Sequence, residues 1–198
     1  YYKPTFDKIY PDLLASKDKF EEKNLRVRNV SKLDFKERIE LKNLSFRYQN
    51  TKKFIFENEN VKISAGQFIG IAGKSGSGKT TFVDLIIGLL DPSSGEILID
   101  GKKINSNNLE NWKKNIGYVF QSSFFADDTI TNNIALGINE KEIDFNKIEK
   151  VAKIAQISDF IESKLPLKYN TIIGEDGAFL SEGQKQRINI ARALYNDP

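Results

Sequence analysis

Cysteine and histidine are both absent from the 198 residues of this chain. Without cysteine, these residues can form no disulfide, no thiolate metal site and no cysteine nucleophile. Without histidine, they can form neither a histidine–metal site nor a Ser–His or Cys–His catalytic pair. The two absences exclude every class of active site that depends on either side chain.

Long apolar runs and a strong charge of one sign are also missing. The apolar stretch from Phe82 to Leu90 is interrupted by Asp84 and Gly88, whereas a membrane-spanning helix needs about 20 apolar residues. No secretory signal is visible, so a reducing, cytosolic setting is expected. The net charge is only +3, from 30 basic and 27 acidic residues. Because no basic stripe is present, we expect no nucleic-acid partner.

The residues that are present predict an α/β fold, with strands in the first half and helices in the second. Apolar residues make up 39% of the chain and charged residues 29%, which is enough for a packed core. Residues 1–20 have a helical pattern, bent or shortened at Pro11, and residues 21–36 are charged like a linker. The strands are predicted at 38–48, 54–57, 60–63, 67–72, 96–101 and 116–120, and the helices at 81–90, 129–136, 145–164 (with Asp144 as N-cap) and 183–195.

The strongest motif is Gly73-Lys74-Ser75-Gly76-Ser77-Gly78-Lys79-Thr80, which matches G-x-x-x-x-G-K-[ST] between an apolar strand and an amphipathic helix. Glycines let consecutive N–H groups in such a loop point at phosphate oxygens, and the following helix adds its positive dipole end. Lys79 is predicted to reach the β- and γ-phosphates, and Thr80 to offer its hydroxyl to Mg²⁺. The predicted ATP-binding residues of this loop are Gly73, Lys74, Ser75, Gly76, Ser77, Gly78, Lys79, Thr80 and Thr81.

A second helix start follows Leu180. Ser181 has the pattern of an N-cap and Gln184 lies three residues further on, which predicts a capping box. Such a helix start, with a serine hydroxyl and the flexible Gly183, is a second anion-binding end. Taken alone, the same pattern also fits an ordinary capped surface helix.

Together, the phosphate loop and the segment Leu180-Ser181-Glu182-Gly183-Gln184 resemble the ATP-binding-cassette (ABC) ATPases of exporters, over residues 38–198. The resemblance implies a P-loop NTPase fold with an antiparallel β subdomain, a RecA-like core and an α-helical subdomain at about residues 122–182. It also implies that Ser181, Gly183 and Gln184 close on the γ-phosphate of an ATP held by a second ABC ATPase domain, in a head-to-tail dimer.

Three further positions follow from the resemblance. Tyr48 matches the aromatic residue that stacks on adenine, and Gln121 matches the catalytic glutamine that touches Mg²⁺ and the attacking water. Residues 124–134 and 171–177 are similar to exporter segments, and the second of these places Glu175 against a transmembrane domain. The alternatives are a strand aromatic, a polar residue at a sheet edge and a plain acidic turn.

Glu182 departs from the family pattern, because it replaces the first glycine of L-S-G-G-Q. A carboxylate beside a phosphate is unfavourable unless it points away or is paired. A degenerate, ATP-binding regulatory half is therefore one alternative function. Another is an ABC ATPase that acts on DNA or ribosomes, although the coiled-coil insertions and basic arms expected of such a protein are absent.

The chain starts at Tyr1 rather than at a methionine and ends at Pro198 directly after a predicted helix, so we expect a fragment. Residues 1–36 are then the end of a membrane-domain helix and a linker, and 37–198 an ATPase domain truncated before its Walker B strand. The family's metal-binding aspartate, catalytic glutamate and switch histidine would follow. We expect the fragment to bind ATP weakly without hydrolysis, and the intact protein to be a transport ATPase at the cytoplasmic face of the inner membrane.

Overall fold

The computed structural model of the chain describes residues 31–49, 51–120 and 124–198. From Leu33 onward the described residues form one compact unit. The helix predicted for residues 1–20 and most of the predicted linker lie outside the described residues. The domain boundary between residues 36 and 37 therefore stays a prediction.

A four-stranded antiparallel sheet forms in the first half, with the strand order β2-β1-β3-β4. The strands are β1 (Arg38–Phe46), β2 (Phe56–Ser64), β3 (Ser94–Ile99) and β4 (Lys102–Lys103). β1 is an inner strand, with Leu41 opposite Val61 on one side and Ile97 on the other. The two strands predicted for 54–57 and 60–63 are one continuous strand, because Asn58 takes a left-handed conformation (φ 54°) without ending the pairing with β1.

The sheet packs against helix α1 (Lys79–Ile86), which directly follows the phosphate loop. Leu85 of this helix is fully buried among the strand residues. The Trp112 ring nitrogen, on the short helix α2 (Leu109–Lys113), donates to the Ile86 carbonyl at 2.8 Å. These contacts fix the helix that carries Lys79 onto the sheet.

The second half forms a helical cluster around its own apolar core. Its helices are α3 (Ile130–Ile134), α4 (Phe145–Ile154), α5 (Ser158–Lys164) and α6 (Glu182–Tyr195), with 3₁₀ turns at Glu140–Glu142, Lys168–Asn170 and Glu175–Gly177. The N-cap predicted at Asp144 is confirmed, since its carboxylate accepts the Lys147 N–H at 3.2 Å. No helix in the described ranges is long and apolar enough to cross a membrane.

Two predicted strands are wrong, one of which was predicted to be buried (67–72). Residues 67–72 and 116–120 form no strand in the described part of the chain. Phe68 is fully exposed, and Ile69, Ile71 and Phe120 are about half exposed. Apolar runs of this kind suit a strand covered on both faces. A strand also requires hydrogen-bonded neighbours on its edges, and the four-stranded sheet of the described residues does not include these two runs.

The helix predicted for residues 145–164 is also wrong as a single element. It divides into α4 and α5 at Gln156, which has a φ of 60°. The Ile157 N–H still bonds to the Ala152 carbonyl across the break, at 3.0 Å. The apolar spacing is continuous across the break, so the periodicity could not show it.

Candidate functional site

The phosphate loop begins at Gly73, after residues 67–72, which form no helix or strand, and its last two residues, Lys79 and Thr80, open helix α1. Two of its glycines have positive φ angles, 76° at Gly76 and 89° at Gly78. A Cβ atom at Gly78 would lie 2.6 Å from Cγ2 of Ile55. A glycine is therefore needed at position 78, both for its positive φ and because the side chain of Ile55 approaches so closely.

The side chain of Lys79 turns back into this loop. Its ammonium donates to the carbonyl oxygens of Gly73 and Lys74, both at 2.9 Å. The loop residues from Gly73 to Ser77 are exposed, and the first turn of α1 contains no acidic residue. The ammonium, the helix dipole and an open loop of N–H groups are thus together, which is an arrangement that favours a phosphate group.

Thr80 and Thr81 have different surroundings. Thr80 is exposed beside the loop, where its hydroxyl is free to bind a cation that accompanies a phosphate. Thr81 is buried, and its hydroxyl lies 3.0 Å from the Tyr48 hydroxyl. The structure therefore gives Thr81 a supporting position under Tyr48, whereas its predicted direct contact with the nucleotide stays untested.

Tyr48 and the phosphate loop border the same open cleft of about 370 Å³. The Tyr48 ring packs edge-on against Phe46, with the ring centroids 5.1 Å apart, and is 44% exposed. A supported ring with one free side is suited to stacking on a flat base. The cleft is lined by Tyr48, Thr51, Lys53, Phe54, Ile55, Gly76 and Ser77.

The second helix start has the predicted capping box. The Ser181 hydroxyl accepts the Gln184 N–H at 3.4 Å, and the Gln184 side chain accepts the Ser181 N–H at 2.8 Å. A Cβ atom at Gly183 would meet nothing within 4 Å, so this helix start is open on one side. Among the residues that line the cleft beside the phosphate loop, none comes from this helix start, so one copy of the chain does not bring the two ends together there.

The carboxylate of Glu182 pairs with Lys185 on the first turn of α6, at 3.1 Å. Glu182 is 90% exposed and Lys185 23% exposed. The pairing offsets the negative charge that Glu182 introduces beside a predicted phosphate-binding end. The spacing of three residues on a helix is a signal that could have predicted this pair from the sequence.

Of the two remaining predicted site residues, Gln121 and Glu175, the structure describes only Glu175. Gln121 lies outside the described residues. Glu175 is exposed on the 3₁₀ turn Glu175–Gly177, after Gly174 with a φ of 75°. No cluster of three acidic side chains that could hold a metal ion occurs within the ranges described. The role predicted for Thr80 beside Mg²⁺ stays a prediction.

Residues 56–198 match the family model described as ABC transporter. The chain belongs to the ABC transporter family. The P-loop fold of the ABC ATPase type, predicted from the two motifs, is thereby confirmed, and so is the exporter resemblance of the sequence.

Curated relatives include the ATP-dependent lipid A-core flippase of Haemophilus influenzae (strain 86-028NP), 42% identical over 80% of this chain and 27% of the flippase. The leukotoxin export ATP-binding protein LtxB of Aggregatibacter actinomycetemcomitans is 42% identical over 86% of this chain and 24% of LtxB. A solved bacterial Atm1-family ABC exporter with ATP bound is 36% identical, with a TM-score of 0.76, over 87% of this chain and 30% of that one. The chain thus spans about a quarter of the length of these curated relatives.

Proposed function

We propose that this ABC chain is the ATP-binding motor domain of an exporter. One observation carries the proposal: a phosphate-binding loop with Lys79 folded into it and a serine-capped helix start occur in the same chain, each open to solvent. Similarity to a flippase and to a toxin exporter supports a role in transport. The transported substrate is not part of the proposal.

The proposed site binds ATP in three parts. Tyr48 stacks on the base, and the N–H groups of the loop and the start of α1 bind the phosphates. Lys79 exchanges its bonds to the carbonyls of Gly73 and Lys74 for the terminal phosphate oxygens. Mg²⁺, beside Thr80 and Gln121, supplies positive charge to the γ-phosphate when it is bound.

We further propose that a second ABC ATPase domain completes the site from the opposite side. Its Ser181, Gly183 and Gln184 contribute a hydroxyl and the positive end of α6 to the γ-phosphate. Closure of this head-to-tail dimer then moves a transmembrane domain, which contacts the segment around Glu175 at the cytoplasmic face of the inner membrane.

We propose in addition that these 198 residues bind ATP weakly on their own and do not hydrolyse it. Residues 67–72, which lead into the phosphate loop, lie outside any strand. A loop held on one side only is less ordered before ATP binds, and ordering it reduces the affinity.

Isothermal titration of the chain with ATP and Mg²⁺ tests the binding part of the proposal, with Lys79→Ala as the control. We expect saturable binding that weakens by at least about tenfold in Lys79→Ala, since a charge-assisted contact is lost. Equal binding by both proteins would refute the nucleotide site. Turnover by the chain above the Lys79→Ala background would refute the proposal that it does not hydrolyse ATP.

A further inference from the structure

Arg192, on the face of α6 that packs against α3, binds a distant segment of the chain. Its guanidinium donates to the Phe124 carbonyl at 2.9 Å and to the Asn133 carbonyl at 2.7 Å. The same group lies over the ring of Phe125, 5.1 Å from the centroid. Burial lowers the pKa of Arg192, but a guanidinium stays charged at neutral pH. A partly buried charge that donates to two carbonyls holds both of them in place.

The side chain of Asn133, whose backbone carbonyl accepts from Arg192, binds the backbone of residues 126 and 129. This side chain is fully buried. Its amide oxygen accepts the Ala126 N–H at 3.0 Å, and its amide nitrogen donates to the Ala126 carbonyl at 3.1 Å. The nitrogen also reaches the Thr129 carbonyl at 3.0 Å. Arg192 and Asn133 thus bind backbone groups of the segment 124–129, which has no helix or strand of its own.

The segment 124–129, which Arg192 and Asn133 hold, lies close in sequence to a predicted catalytic residue. It follows Gln121, the predicted catalytic residue, after two intervening residues. The other end of α6 carries Ser181 and Gln184, the predicted contacts to the γ-phosphate. One continuous helix therefore joins the capping box at Ser181 to the contact between Arg192 and the Phe124 carbonyl.

We propose that Arg192 is a positioning residue that couples the Ser181 end of α6 to the segment 124–129 behind Gln121. Asn133 supports the coupling by holding that segment to α3. This inference rests on the proposed function, and it assigns to Arg192 a part in the timing of hydrolysis rather than in ATP binding.

The test compares Arg192→Lys with the parent in the full-length, reconstituted protein, because the proposed site needs both ATPase domains. Lysine keeps the charge but cannot donate to two carbonyls with the same planar geometry. We expect kcat for ATP to fall on the order of tenfold while KM changes by less than about twofold, since the misplaced group acts on the chemical step alone. The amide of Ala126 is expected to exchange its hydrogen faster in Arg192→Lys.

Arg187→Lys is the matched control. Arg187 lies on the same helix and also donates to a backbone carbonyl, that of Gln156 at 2.8 Å, but this carbonyl belongs to the break between α4 and α5. We expect this control to leave kcat unchanged. The number of ATP-binding sites per protein, measured with a fluorescent ATP analogue, corrects both variants for any fraction that fails to fold.

Two results would overturn the inference while leaving the proposed function intact. One is an equal kcat in Arg192→Lys and Arg187→Lys. The other is a loss of activity in Arg192→Lys that disappears once kcat is divided by the number of binding sites. If the parent showed no hydrolysis that depends on Lys79, the proposed function itself would fail, and the coupling would fall with it.

Discussion

At the scale of single residues, the surroundings of Tyr48 suit the proposed stacking on a base. Its ring is 44% exposed beside the phosphate loop, and its hydroxyl is tied to Thr81 at 3.0 Å. The contact with Thr81 also orients the ring, because Thr81 belongs to the helix that follows Lys79.

Replacement of Tyr48 separates stacking from the hydrogen bond. We expect Tyr48→Ala to weaken ATP binding by about tenfold or more, the size of a lost base-stacking contact. Tyr48→Phe keeps the ring and loses only the bond to Thr81, so its affinity should change by no more than about threefold. Titration with ATP measures both, and equal affinities in Tyr48→Ala and the parent would show that the ring does not bind the base.

Glu182 is a second case in which one residue's surroundings decide between functions. An unpaired carboxylate at the signature helix would favour a degenerate, regulatory half. The pairing with Lys185 at 3.1 Å favours a working site instead. Both side chains lie near the surface, so the benefit of the pair is small and depends on the salt concentration.

A double-mutant cycle tests this compensation. In the full-length protein, Lys185→Ala should raise the ATP concentration for half-maximal hydrolysis about threefold, the scale of a surface ion pair. In a Glu182→Gly background the same change should have no effect, because there is no carboxylate left to neutralise. Lys185→Arg serves as the charge-keeping control. Equal effects of Lys185→Ala in both backgrounds would mean that Glu182 and Lys185 act independently.

The residues of the site differ in how far the sequence could reveal them. The capping box of Ser181 and Gln184 and the N-cap at Asp144 were predictable, because their partners are three residues away on the same helix. The contacts of Tyr48 with Thr81 and of Arg192 with Phe124 join residues far apart in the chain. No local pattern encodes such pairs.

At the scale of elements, the turn between β3 and β4 holds the start of β1. Asp100 and Gly101 have φ angles of 49° and 77°, as an Asp-Gly hairpin turn requires. The Asp100 carboxylate accepts the N–H groups of Lys36, Glu37 and Arg38 at 2.6, 2.9 and 2.8 Å. Desolvation opposes ionisation, but these backbone bonds prevail and hold the pKa of Asp100 below its ordinary value of 3.8.

This lowered pKa gives the stability of the domain a dependence on pH. A carboxyl group with a depressed pKa in the folded state stabilises fully above its unfolded pKa, and the contribution is lost as the pH falls through the folded pKa. Asp100→Asn keeps the turn conformation, which asparagine also tolerates, but removes the charge. We expect the melting temperature of Asp100→Asn to lie below that of the parent at neutral pH, by a few degrees. The difference should shrink as the pH falls below the ordinary Asp100 value of 3.8, and a difference that stays constant as the pH falls would contradict the assignment.

The strands were predicted less reliably from the sequence than the caps of the helices. β1 and β3 were predicted close to their positions because short runs of apolar residues bounded by turns are local signals, whereas β2 was predicted as two strands. The apolar runs at 67–72 and 116–120 were predicted as strands and yet form no strand among the described residues. A strand depends on neighbours that its own sequence does not specify, so its pattern predicts a preference and not a pairing.

At the scale of the whole molecule, the described chain contains two helix starts that we propose to bind phosphate, and they do not share a cleft. The loop around Lys79 opens on the cleft beside Tyr48, and the helix start at Ser181 contributes nothing to that cleft. A single copy therefore offers two half-sites. A head-to-tail dimer, in which each copy supplies one half to each ATP, uses both.

Mixing two inactive variants tests this claim most directly. In full-length dimers, Lys79→Ala removes one half-site and Ser181→Ala the other, and each variant alone should trap almost no ATP in closed dimers. When the two are mixed in equal amounts, half of the dimers contain one copy of each, with both defects in one site and the second site intact. We predict that trapped ATP recovers to roughly a quarter of the parent's amount. A mixture that traps no more ATP than the separate variants would show that both ends belong to the same copy's site and would contradict the account.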